Sequence, residues 1–475
     1  MAAINGDANP TTNGHSSIPP VTRIFSNFTA NADTNLLTDQ IRASLKEYII
    51  DYIGVTLAAS HSSDSTVSIC NAVQALGGQK GACTVLGKGK TFTPQFAGLL
   101  NAALGHSLDF DDTYAPGTLH AGVTSIAAGL TQAEILGASV DIDHFLLAVA
   151  VGYEVTCRLG RELGNEAYAR GFHNTATAGI FGAVATISVL KNLSADVIEN
   201  AFGLAGSKAA GSMQYLENGS WNKRLHPGFA VHDAFLCVAL AEAGVIGAAS
   251  IIEGTFGFLH GYSPKENKDL DYLTSDLGHR WEFLLTSLKP FPACRMTHGF
   301  IEHAAKLGHD KKKVAIDQVR AIVLSLSPNN VSVVGAPTPN KIHPENMVDA
   351  QFSAYFTTAN SYLYGSDNGV RCYEQDRLHD SGIRQLSDKI SVVPDTSLKQ
   401  FGSKLKIEYE DGTSDEVLIP FPLGESQHPF TRDQVNDKFF SLVNPVVGEA
   451  RAKEVLDMVD NIENHTVTQL LQLVA

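Results

Sequence analysis

Apolar positions recur every four residues after Thr38: Ile41, Leu45, Ile49, Ile53 and Leu57 fall on one stripe behind a Thr38/Asp39 capping signal. A helix with one buried face is predicted there. Comparable patterning predicts helices over about 93–108, 121–137, 141–163, 175–193, 194–210 and 229–247, several rich in Ala and Gly, whose small side chains let helix axes approach closely. The texture changes after Trp281. Val319–Ser327 alternates Ile322, Leu324 and Leu326 with smaller neighbours, and Lys404–Ile419 reads as a hairpin turning at Asp411-Gly412. Ala350–Leu363 is helix-like, and helical patterning returns over Arg432–Leu442, Ala450–Ile462 and Thr466–Val474. The expected fold is mainly α: a large all-helical domain over 21–284, a smaller α+β lid domain over 285–424, and a return to the helical domain over 425–475.

The 475 residues allow two or three domains, and 18% charged residues, against ~25% in an average soluble domain, suggest a tightly packed body. A net charge of −15 repels phosphate backbones and anionic lipid, so neither nucleic acid nor membrane is an expected partner. A small anionic substrate is still compatible, because a few local cations outweigh distant charge screened beyond about 10 Å. The six cysteines are widely spaced with no C-x-x-C pair, which argues against a disulfide scaffold or a zinc cluster. Residues 1–20 are rich in Asn, Thr, Pro and Gly without an apolar run, and read as a disordered tail, not a leader. A cytoplasmic location follows as the expectation.

Four stretches concentrate chemistry. Asp109-Phe110-Asp111-Asp112-Thr113, followed by His120, places three acids in four residues between two predicted helices, so a cation, a metal or a helix N-terminus must offset their repulsion. An aspartate-rich Mg²⁺ motif of the terpene-synthase kind would require a second metal motif on a distant helix, and the sequence has none. Gly171-Phe172-His173-Asn174-Thr175 puts a histidine at a helix start. Trp221-Asn222-Lys223-Arg224-Leu225-His226-Pro227 sets two cations and a histidine ahead of a helix expected to begin at 228–230, which suits an anion receptor. Lys289-Pro290-Phe291-Pro292-Ala293-Cys294-Arg295-Met296-Thr297-His298 lies at the proposed domain junction, where ligand sites tend to form. No complete P-loop, G-x-S-x-G elbow or strand-embedded G-x-G-x-x-G is present.

Taken together, "LDFDDTY…LH", "GFHNTATAG", "GSWNKRLHPG" and "KPFPACRMTH" resemble the MmgE/PrpD family, which includes 2-methylcitrate dehydratases, cis-aconitate decarboxylases and an iminodisuccinate epimerase. The resemblance runs from about Ile41 to the C-terminus. It implies a homodimer in which a helical domain carries an α+β lid, with Asp109, Thr113, His120, His173, Lys223 and Lys289 lining the site. Cys294 stands where animal decarboxylases have a second site histidine, and the fungal decarboxylase also has Cys there. Dehydratases tend to read Phe-Asn-Asp-Thr-Trp where this chain has Phe110-Asp111-Asp112-Thr113-Tyr114, which tilts the reading toward decarboxylation.

The resulting expectation is a cofactor-independent, metal-free lyase acting on a citrate- or aconitate-type polycarboxylate. Decarboxylation stands ahead of dehydration, and epimerisation, isomerisation or non-catalytic polycarboxylate binding are the alternatives. His120, His173 and Lys223 are the candidate catalytic residues. Asp109, Asp112, Thr113, Arg224, His226, Lys289, Cys294, Arg295 and His298 are the candidate substrate-binding residues.

Overall fold

The computed structural model describes residues 19–266, 268–309, 314–366 and 369–475. Apart from Pro19 and Pro20, the tail expected over 1–20 lies outside the described residues. Numbering only helices of eight residues or more, the chain runs α1 (Val21–Ala30), α2 (Asp39–Ser62), α3 (Thr66–Ala75), α4 (Pro94–Ser107), α5 (Gly122–Leu136), α6 (Ile142–Ala169), α7 (Asn174–Leu190), α8 (Ala195–Gly206) and α9 (Asn222–Glu242). Then follow α10 (His298–Leu307), α11 (Ala354–Tyr364), α12 (Arg432–Val447), α13 (Glu449–Asp460) and α14 (Val467–Val474). A short hairpin, β1 (Cys83–Val85) with β2 (Lys90–Phe92), sits between α3 and α4. The larger sheet has the order β4-β3-β5-β6, from β3 (Val319–Leu326), β4 (Ile390–Pro394), β5 (Ser403–Tyr409) and β6 (Ser414–Ile419). Its β3–β4 pair is parallel and the others are antiparallel.

The mainly helical architecture with a small α+β lobe is the one the hydrophobic pattern predicts. Thr38 caps α2 by accepting the Ile41 N–H, and the β5–β6 hairpin turns at Asp411-Gly412, where Gly412 has φ +86°. Helices α6 and α7 meet where Gly152 faces Gly182. A Cβ on Gly152 would fall 1.9 Å from Thr186 Oγ1, so only glycine permits that approach. Three expectations need correction. Helix α9 begins at Asn222, so Lys223, Arg224 and His226 are helical, and Pro227 lies inside the helix. Pro227 lacks the N–H that would reach the Lys223 carbonyl, yet its ring is tolerated this close to the helix start. The helix expected over 350–363 is broken at Phe352-Ser353, where Ser353 accepts the Phe356 N–H and restarts the chain as α11. Helices α1 and α3, both amphipathic and short, escape the periodicity reading.

One large apolar core joins α1, α2 and α4–α9 with Val435, Phe439, Val455, Leu470 and other residues of α12–α14, while α3 packs with the β1–β2 hairpin and part of α4 in a smaller one. A second core fills the lobe between the sheet, α10 and α11. The C-terminal helices also bear on the acidic loop that follows α4: Lys438 of α12 donates to the Phe110 carbonyl (2.9 Å), lies over the Phe110 ring and pairs with Asp51. Among the described residues no helix is long and apolar enough to cross a membrane.

Candidate active site

Helix α4 ends at Ser107, and Asp109 takes a left-handed conformation (φ +51°) just beyond it, a geometry Asp tolerates better than most side chains. A carboxylate at a helix C-terminus is disfavoured by the helix dipole, so cations must hold it. Asp109 Oδ1 accepts from Lys223 Nζ (2.8 Å) and Lys289 Nζ (2.9 Å), and Lys289 also donates to the Asp109 and Ala293 carbonyls. Burial would raise the Asp109 carboxyl, but the two ammonium groups outweigh it and keep it well below the usual range. Lys289 reaches Asp109 because Thr113 and Ser287 exchange backbone hydrogen bonds (2.8 and 2.7 Å), stitching the acidic loop to the start of the lobe.

The next acid works differently. Asp111 Oδ2 accepts from His106 Nδ1 (2.7 Å), and its Oδ1 lies 3.2 Å from His120 Nδ1. Lys223 Nζ stands 2.8 Å from His106 Nε2, which leaves His106 neutral with its proton on Nδ1. Burial pushes the His106 imidazole down to about 3. His120 Nε2 is 3.6 Å from Asp109, and the His120 backbone N–H donates to Thr175 Oγ1 (3.1 Å), fixing this loop against the start of α7. His173 caps α7 through its backbone, and its Nδ1 is 3.0 Å from His226 Nδ1. His120 and His173 are both lowered by burial, yet their surroundings are opposed: Asp111 pulls His120 back up, whereas His226 and Lys223 push His173 further down.

These groups wall a small cavity of about 30 Å³ lined by Asp109, Thr113, His120, His173, Lys223, Lys289, Cys294 and Arg295, together with Tyr168, Met296, Phe352 and Phe401. That is room for one or two waters, far below the ~300 Å³ at which ordinary ligand clefts begin. Tyr168 and Met296 also line an open cleft of about 750 Å³ between α6 and the lobe, so they partition the cavity from the outside. Burial raises the Cys294 thiol to about 11, so it is neutral at pH 7. Gln351 locks this wall by donating to the Leu108 and Pro292 carbonyls while its own carbonyl accepts the Cys294 N–H.

Four candidates do not meet the others directly in the cavity wall. Asp112 turns into the helical core, where it accepts from Tyr153 Oη (2.6 Å) and the Gly122 N–H (3.1 Å), and burial raises it to about 7. Gly122 is required there, since a Cβ would fall 2.4 Å from Asp112 Oδ2. Arg224 faces Asp64 and the Trp221 ring. His226 stands behind His173, and His298 is held between Arg295 Nη1 (2.9 Å) and the Ala293 carbonyl (3.0 Å). Arg295 itself reaches the cavity but is bound to Glu425 (2.6 Å) and the Leu423 carbonyl. Two functional groups were missed by the sequence reading, His106 and Asp111. His106 sits three residues ahead of Asp109 on the last turn of α4, a spacing that signals it once the helix end is located.

His106, Asp111 and His120 bring three possible metal-ligand atoms within 4.8 Å. An ion there would face the Lys223 ammonium at His106 Nε2, and His106 Nδ1 is already bonded to Asp111. Asp111 Oδ1 and His120 Nδ1 stand 3.2 Å apart, and neither has a hydrogen-bond partner among the described residues.

Residues 23–271 match the MmgE/PrpD N-terminal domain and residues 291–464 the MmgE/PrpD C-terminal domain. The chain is 26% identical over 452 residues to the cis-aconitate decarboxylase-like protein oryM of Aspergillus oryzae, covering 90% of this chain and 92% of the relative. It is 26% identical over 414 residues to a cis-aconitate decarboxylase of Aspergillus terreus (83% and 84% covered) and 25% identical over 453 residues to the cis-aconitate decarboxylase of Homo sapiens (90% and 89%). With both domains matched in order over most of its length, the chain belongs to the MmgE/PrpD family.

Proposed function

We propose that this carbon lyase is a cofactor-independent decarboxylase of a cis-aconitate-type tricarboxylate. The observation that carries the reading is the opposed setting of two buried histidines around one pair of lysines. Lys223 and Lys289 hold retained carboxylates and stabilise the charge left when the C–C bond to the departing CO₂ breaks and its electron pair delocalises into the adjacent alkene-carboxylate. An anionic substrate offsets the Lys223 and Lys289 charges that, with burial, lower His120, Asp111 already favours its imidazolium, and His120 then gives its proton to carbon. His173, set among cations, stays neutral, and its contact with His226 fixes which nitrogen it turns to the substrate. His120 regains a proton from solvent when the cavity opens.

The body and lobe part for substrate to enter, since the cavity of about 30 Å³ is too small for it, which makes the lobe a lid. Incubation with cis-aconitate and with 2-methylcitrate, each with and without EDTA, tests the reading. CO₂ release from cis-aconitate, unchanged by EDTA, is expected. Exclusive dehydration of 2-methylcitrate would replace it, and EDTA-sensitive turnover would return His106, Asp111 and His120 to a metal. Assembly as a homodimer is part of the proposal: Phe229, Leu236 and Leu240 of α9 are exposed at spacings of seven and four residues, an apolar stripe suited to an isologous contact. Light scattering is expected to report twice 50.8 kDa.

A further inference from the structure

The lobe carries a second buried ammonium, Lys341, which lies in the wall of the outer cleft and is 3% exposed. Its Nζ has no hydrogen-bond partner and no carboxylate within ion-pair distance among the described residues, a costly arrangement for a charge out of water. The nearby Asp349 is bound to the side-chain amides of Asn340 (2.9 Å) and Asn346 (2.7 Å), and so does not answer it. The backbone around Lys341 is fixed, with its N–H donating to the Thr338 carbonyl (2.9 Å) and its carbonyl accepting from Ser353 Oγ. Lys341 Nζ and Lys223 Nζ each stand 5.8 Å from the centroid of the Phe352 ring, which lines the cavity.

Charge bookkeeping shows what this lysine lacks. Within the cavity Asp109 and Asp111 balance Lys223 and Lys289, while Arg295 is taken by Glu425 and Arg224 by Asp64. A substrate with three carboxylates therefore brings more negative charge than the paired cations can neutralise. From these contacts we infer that Lys341 is a substrate-positioning residue that clamps the carboxylate furthest from the reacting carbon, on the cleft side of Phe352, and so selects tricarboxylates over dicarboxylates. This rests on the polycarboxylate reading above. Burial lowers the Lys341 ammonium to about 8, consistent with a group left uncompensated until an anion arrives.

The test compares wild-type protein with Lys341→Met, a substitution of similar shape without charge, by calorimetric titration with two unreactive probes, tricarballylate and glutarate. Wild type is expected to bind tricarballylate more tightly than glutarate. Lys341→Met is expected to weaken tricarballylate about 10- to 100-fold, the usual worth of a charge-assisted hydrogen bond, and to leave glutarate unchanged. Its thermal midpoint is expected to rise, because an unpaired buried charge is removed; a lysine with a purely structural role would lower it. Lys341→Arg is expected to recover part of the tricarballylate preference. Equal tricarballylate binding by wild type and Lys341→Met would overturn the clamp while leaving the site intact. Wild type that binds neither probe would overturn the polycarboxylate reading, and the clamp with it.

Discussion

On the helical side of the cavity each charged group is already engaged: Asp109 with two lysines, Asp111 with two histidines, and Lys223 with both Asp109 and His106. On the lobe side Lys341 Nζ and Arg295 Nη2 are buried without hydrogen-bond partners among the described residues, and the thiol of Cys294 is neutral. The helical body holds its cations on carboxylates and leaves acceptor atoms unmet, Asp109 Oδ2 and Asp111 Oδ1, whereas the lobe leaves donors unmet among the described residues. A wall whose cations are already paired can keep reacting groups in register through many turnovers. A wall with unmet donors gains most when an anion is enclosed, so on the proposed lid reading closure is driven from the lobe.

The largest expected effect comes from breaking the helical wall at its proposed proton donor. His120→Asn keeps the volume and removes the titrating nitrogen, and kcat should fall about 10²- to 10⁴-fold in a CO₂-release assay with little change in thermal midpoint. Next, the two neighbouring acids separate the wall from the core behind it. Asp111→Asn is expected to lower kcat about 10- to 100-fold and to shift the alkaline limb of the pH–rate profile to lower pH, because His120 loses the carboxylate that favours its charged form. Asp112→Asn should leave kcat within about threefold, since that group already serves as an acceptor for Tyr153 and the Gly122 amide. Equal losses in the two variants would erase the distinction.

The buried histidines also set a pH dependence of stability. Burial depresses His226 to about 4, so the unfolded chain binds a proton between its ordinary value of ~6.5 and that level while the folded chain does not. Stability is therefore fully present above pH 6.5 and falls as pH drops toward 4, by about 2 kcal/mol at pH 5 from this group alone. His226→Gln should flatten the fall in thermal midpoint between pH 7 and pH 5. Asp112 opposes the trend by a comparable amount: its raised value favours the folded state at low pH and loses that contribution as pH climbs through about 7. The smallest effect is expected in the lobe, where Cys294→Ala should keep activity within a few fold, because a thiol at about 11 shapes the wall without carrying charge. Complete loss, with substrate protecting the wild type from a thiol reagent, would make the lobe wall chemical.

Helix existence was legible because a buried stripe leaves a period of about four in the sequence, and β3 and the β5–β6 hairpin were legible through alternation and the Asp-Gly turn. The acidic run showed that something must compensate three carboxylates, but not which carboxylate faces which way. That is decided by the left-handed step at Asp109, which turns Asp111 toward the histidines and Asp112 into the core. Pro227 misled the reading of α9, since a proline that commonly marks a helix boundary here sits inside one. Lys341 belongs to no motif, and its position depends on Ser353 and Phe352, brought near it by a break in a predicted helix. Pairings such as Thr113 with Ser287 join segments far apart in the chain and leave no local trace.

A cavity with room for only one or two waters leaves almost no solvent to compete for a newly formed carbanion. On the decarboxylase reading, the hydrogen that appears in the product was on the protein when the lobe closed. In mixed H₂O and D₂O the isotope found on carbon then becomes a record of one imidazole at the moment of sealing, and a pulse of labelled solvent delivered after closure arrives too late to be incorporated.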